Sequence, residues 1–102
     1  MSKKGIEFTV RCDDITDFEK FNSNEKLIKD LKNLINNYEF PISIGFSDDD
    51  KLLTKGKFLN DTKEECHAMF TLYKGQFKKI LEKYYNIKIK LVDECVIDFH
   101  TI

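Results

Sequence analysis

The sequence predicts an α+β fold in two layers, with helices against one face of an antiparallel sheet. Three observations predict it. Apolar residues alternate over residues 6–12 and 42–46, Leu52, Thr54, Gly56 and Phe58 share one face, and alternation returns beyond residue 87, the pattern of strands with one buried face. Between these runs lie two stretches whose apolar residues recur every 3.6 positions, as on amphipathic helices. Only short connectors separate the segments, so the 102 residues read as a single domain, 1–102, with a core large enough to need no disulfide or metal staple.

The first strand sets Ile6, Phe8, Val10 and Cys12 on one face and Glu7, Thr9 and Arg11 on the other. An acidic connector follows, in which Asp14 is placed to cap a short turn containing Phe18 and Phe21. Asn22 with Glu25 forms a capping pair for a helix near 23–38, whose narrow apolar face is Leu27, Ile28, Leu31, Leu34, Ile35 and Tyr38. Pro41, the only proline, sits at the head of the next strand, where its missing N–H costs least. Ile42, Ile44 and Phe46 then alternate into the turn Ser47-Asp48-Asp49-Asp50, and the chain returns through Leu52, Thr54, Gly56 and Phe58 as a hairpin. Asp61 with Glu64 opens a long helix over 61–85, with the stripe Cys66, Met69, Phe70, Tyr73, Phe77, Ile80, Leu81 and Tyr84, and Gly75 opposite it as a point of bending or fraying. The tail alternates through Ile87, Ile89 and Leu91, breaks at Asp93-Glu94 and resumes through Ile97 and Phe99, which predicts two antiparallel strands.

The resulting order, βαββαβ with an added C-terminal strand, resembles the split-βαβ or ferredoxin-like arrangement, with two helices on one face of an antiparallel sheet. That topology hosts enzymes, effector modules and nucleic-acid binders alike, so function must be argued from sites. Eighteen acids face seventeen bases, and the near-balance excludes a whole-molecule field that would steer the chain to nucleic acid or an anionic membrane. Arg11 is the only arginine, which counts against bidentate phosphate reading. No stretch reads as a signal peptide or a bilayer span. Cys12, Cys66 and Cys95 stand at wide, unpatterned spacing and read as reduced thiols, the first two buried and Cys95 accessible, so the expected setting is cytoplasmic.

No catalytic, cofactor or transition-metal motif is present. The cysteines with His67 and His100 offer no ligand spacing, and Asp98 with His100, on one strand face, lacks a nucleophile beside it. Lys55-Gly56-Lys57-Phe58 resembles the opening of the RNA-recognition-motif signature for four residues only; Lys57 and Phe58 do not fit its next positions, and stacking aromatics are missing from the first strand. Acylphosphatase chemistry needs a Gly-rich anion loop where this chain has Asp13-Asp14-Ile15-Thr16-Asp17.

Charge placement is the remaining signal. Parallel strands across each βαβ crossover would put the first connector and the hairpin tip at one end of the sheet. Asp13, Asp14, Asp17, Glu19, Asp48, Asp49 and Asp50 would cluster there, relieved only by Lys20, with Tyr84 and Tyr85 of the long helix alongside. Such a pole suits a protein partner with a basic surface, and the expected function is a small protein-binding module, an inhibitor or adaptor and not an enzyme, in its sharpest form one that blocks a nucleic-acid-processing protein. Two alternatives stand beside it. Arg11, Lys55, Lys57, Lys88 and Lys90 on the open sheet face could hold a nucleic-acid backbone, and the Asp pair after strand one could serve a metal-dependent hydrolase.

Overall fold

A computed structural model describes residues 3–102. The elements are β1 (Lys4–Cys12), α1 (Phe18–Ser23), α2 (Glu25–Asn36), β2 (Ile42–Phe46), β3 (Leu52–Leu59), α3 (Lys63–Tyr85) and β4 (Leu91–Thr101). The four strands form one antiparallel sheet in the order β2-β3-β1-β4, so β2 and β4 are its edges. Because β1 and β2 are both antiparallel to β3, they run the same way, and both point toward the end of the sheet where Cys12 and Phe46 lie level with Leu52.

The alternating residues do what their pattern requires. Ile6, Phe8, Val10 and Cys12 from β1, with Leu52, Thr54 and Phe58 from β3, form the covered face of the sheet. Against it lie Leu27, Leu31 and Leu34 of α2 and Cys66, Phe70, Tyr73, Phe77 and Leu81 of α3. Aromatic rings tie the two layers together: Phe8 stacks on Phe58 with centroids 5.2 Å apart and meets Phe70 at 4.9 Å. One polar pair is built into this core. The Tyr73 hydroxyl lies 2.6 Å from Thr54 Oγ1, which in turn donates to the Ser43 carbonyl at 3.0 Å, so neither buried oxygen is orphaned.

Several expected boundaries move. The first helical segment is two helices, giving three in all. Asn22 lies inside α1, and the break falls at Asn24, whose extended backbone lets its side chain accept from the Leu27 N–H at 3.1 Å. Asp17, rather than Asp14, caps α1 by accepting from Lys20 N–H. The cap of α3 is Thr62, which accepts from Glu65 N–H, and the helix passes Gly75 without a break. The tail holds one strand where two were expected. Asp93-Glu94 does not end it: β4 carries one extra residue between the partners of Thr9 and Val10 and another between those of Gly5 and Glu7, and these bulges absorb the irregular spacing that reads as a turn in the sequence. Residues 87–90 precede β4 as a connector. Cys12 and Cys66 are buried and Cys95 exposed, as expected; burial raises both buried thiols above the ordinary cysteine range. Among the described residues no helix is long and apolar enough to cross a membrane.

Candidate functional site

The two acidic loops do meet at one end of the sheet. The connector leaves β1 at Cys12, the hairpin tip enters β3 at Leu52, and these two residues are cross-strand partners. Lys51 at the foot of the tip lies 3.5 Å from Asp13 in the connector, which joins the loops directly.

The cluster is less bare of cations than expected, because the fold delivers more than Lys20 to it. Arg11, on the same strand face as Glu7 and Thr9, holds Asp13 at 2.7 Å and 3.2 Å and also reaches Glu94 at 3.4 Å. The Asp13 carboxyl is held below the usual carboxylate range, first by the Arg11 hydrogen bond. Asp14 accepts from the Lys90 backbone N–H at 3.0 Å and so fastens the connector that enters β4. Lys88 and Lys90 therefore belong to this connector and not to the open sheet face where the strand pattern put them. Asp17 is committed to its cap. Asp49 accepts from Ser47 Oγ, which lowers its pKa and braces the turn.

Three of the seven carboxylates are left over. Glu19, Asp48 and Asp50 are exposed and make no ion pair or side-chain hydrogen bond among the described residues. Asp50 takes the left-handed conformation, φ 58°, that closes the three-residue tip; Asp tolerates this region better than most side chains.

The tyrosines are not exposed flanks. Tyr84 donates its hydroxyl to Asp30 of α2 at 2.5 Å, a contact that pins α3 to α2. Tyr85 is half-buried with its ring beneath the Lys20 ammonium, 5.3 Å away, and its hydroxyl is buried with no partner; burial raises its pKa. The exposed aromatic at this end is one the sequence pattern had assigned to a short turn. Phe18 is 51% exposed and rests edge-on against Phe46 at the base of the hairpin, 5.4 Å between centroids, with Phe21 on Phe46 as well. Its proximity to the tip is a tertiary fact: the signal available earlier was only that Phe18 lies next to Glu19 in an acidic connector.

The other candidate sites are arranged as follows. On the open face Lys57 lies 4.0 Å from Glu7, and His100 approaches the same carboxylate at 3.4 Å, so that surface is mixed in charge. Asp98 and His100 part company: Asp98 meets His67 at 2.7 Å and Lys63 at 3.2 Å from α3, which hold its carboxyl far below the ordinary range. Asp13 and Asp14 face different partners, and among the described residues no three His, Cys, Asp or Glu side chains come together as a metal site. The chain matches no protein family, no curated protein and no solved structure with which it was compared.

Proposed function

We propose that this chain is a small protein-binding module, an inhibitor or adaptor, that docks on a basic surface of a protein partner through the end of the sheet shared by the α1 connector and the hairpin tip. The observation that carries this reading is the exposed Phe18 ring seated on the hairpin base beside the uncommitted carboxylates of Glu19, Asp48 and Asp50. An exposed aromatic anchor with free carboxylates in the neighbouring loops is an economical docking device, because the ring supplies buried area while the carboxylates steer a cationic partner and select its orientation. Asp13, Asp14, Asp17 and Asp49 serve the same surface indirectly, by holding its loops in place. Tyr85 supports Lys20 there, and Tyr84 anchors α3 behind it.

The architecture we read as ferredoxin-like, supported by the strand order β2-β3-β1-β4 and the parallel run of β1 and β2. A reducing, cytoplasmic setting is supported by three free thiols, two of them inside the core. Nucleic acid on the open face is the less favoured reading, since Arg11 is paired with Asp13 and Lys88 and Lys90 lie in the connector before β4.

The test is capture by the immobilised chain from an extract of its host at about 50 and 150 mM salt, a range over which exposed charges become screened. The wild type is expected to retain a basic protein that is lost at the higher salt and lost with the variant Glu19→Gln/Asp48→Asn/Asp50→Asn, and weakened by Phe18→Ala. Retention that is indifferent to these substitutions but abolished by Lys55→Gln/Lys57→Gln, with nucleic acid in the eluate, overturns the proposal in favour of the open face.

A further inference from the structure

The geometry points to strand β2 as a pairing edge: the basic partner contributes an extended segment that hydrogen-bonds along Ile42–Phe46 as a fifth strand. This rests on the reading above and names the form the partner takes. The backbone register decides which groups are free. Ser47 N–H donates to the Lys51 carbonyl, and alternation from that pair makes Gly45 with Leu53, and Ser43 with Lys55, the hydrogen-bonded pairs of the hairpin. The N–H and C=O of Ile42, Ile44 and Phe46 therefore face outward, at an edge that no other strand covers.

Natural edges are normally guarded by shortness, charge, bulges or proline within the strand, and of these devices β2 uses only the first, with five residues. Strand β2, Ile42-Ser43-Ile44-Gly45-Phe46, carries no charge, and its pairing with β3 runs without a register shift. On the open face of the hairpin a shallow cleft of about 440 Å³ is lined by Ser43 and Gly45 of β2, Leu53 and Lys55 of β3 and Asp48 of the tip. A strand entering along the edge would bring its cationic end to Asp48 and lay uncharged residues beside Ile42 and Ile44.

A second copy is a poor occupant. The two-fold pairing that engages all three outward residues is centred on Ile44 and brings the acidic hairpin tip of each copy toward Glu39 of the other, joining like charges. Main-chain pairing to a foreign segment, with charge fixing its direction, is the recognition mode that remains.

The experiment uses the full chain, labelled with ¹⁵N, and two eight-residue probes, Val-Thr-Val-Thr-Val with three Lys at one end or the other. One probe is expected to shift the amide signals of Ile42, Ile44, Phe46 and Phe18 and to slow hydrogen exchange at Ile44. N-methylation of the alternate probe residues that donate should weaken binding at least tenfold, and Ile44→Pro, which removes an outward N–H together with a half-buried side chain, should do the same beyond any loss seen with the control Ile44→Ala. If N-methylation and Ile44→Pro leave affinity unchanged while Asp48→Asn/Asp50→Asn reduces it, strand pairing is overturned and electrostatic docking stands. If none of these changes matters, or neither probe binds, the pairing edge falls, and the capture experiment judges the acidic surface independently. A concentration-dependent dimer in sedimentation that Ile44→Pro abolishes overturns the foreign-segment assignment in favour of self-pairing.

Discussion

Strand β4 runs eleven residues along one edge of the sheet and carries Asp93, Glu94 and Asp98; strand β2 runs five along the other and carries no charge. Each acid of β4 is answered inside the molecule, Asp93 by Lys74 at 3.1 Å, Glu94 by Arg11 at 3.4 Å and Asp98 by His67 and Lys63. Two bulges interrupt its ladder. Val96 and Ile97 are exposed on this strand, 37% and 46%, yet lie between the bulges, where a continuous new ladder cannot form. The comparison teaches that exposed apolar side chains are a poor guide to a pairing edge. The better guide is a regular run of unpaired backbone groups without charge, and β2 has it.

Three measurements test this contrast. The largest effect is expected at the sheet centre, against which the edges are judged. A Cβ at Gly5 would fall 2.2 Å from the Phe58 carbonyl oxygen, between two paired strands that cannot retreat, whereas a Cβ at Gly45 on the edge meets nothing within 4 Å. Gly5→Ala should therefore cost about 3 kcal/mol, while Gly45→Ala should gain about 0.5 kcal/mol, both read by urea denaturation. Equal effects would mean β2 is as enclosed as β1.

The second contrast lies within β2. The Ser43 and Gly45 N–H groups bond β3, whereas those of Ile44 and Phe46 face outward, so amide hydrogen exchange should be at least tenfold slower at Ser43 and Gly45 than at Ile44 and Phe46. The reverse order of protection would invert the assigned edge polarity and remove the basis for strand pairing.

The smallest effect concerns how β4 is tied to α3. The Asp98 carboxyl is depressed in the folded state by its hydrogen bond to His67, with contributions from the Phe99 N–H and Lys63. A depressed carboxyl stabilises the fold above its unfolded pKa of about 4, and that contribution is lost as the pH falls through the lower folded value. Asp98→Asn should accordingly flatten the fall in stability below about pH 4 while changing stability at higher pH only slightly, since the pair is exposed. An unchanged acid limb in a series of denaturation curves would show that this tie contributes nothing.

Much of the fold was legible in the chain. Alternation placed the buried face of β1 and of β3 residue by residue, and the stripes of α2 and α3 were read almost as they stand. The helix starts differ from those expected by one or two residues because Asn22, Asn24, Asp61 and Thr62 are all competent caps that local chemistry cannot rank; burial of Phe21, which commits α1 to a helical turn, decides between the first two. The tail was misread because bulges and turns share a signature, a pair of polar residues that shifts the alternation.

Periodicity and capping follow from the geometry of one element, so the sequence by itself determined the layers, the core faces, the buried and exposed cysteines and the meeting of the two acidic loops. Which carboxylates stay free was decided only in three dimensions. Arg11 to Asp13, Lys90 N–H to Asp14, Tyr84 to Asp30 and Tyr73 to Thr54 join different elements or connectors, or depend on which way one side chain turns at the end of a strand. Such pairings depend on distances across the fold, and a one-dimensional pattern carries no record of them. The free edge of β2 was decided in the same way, because a strand becomes an edge only when the rest of the chain has chosen where to pair.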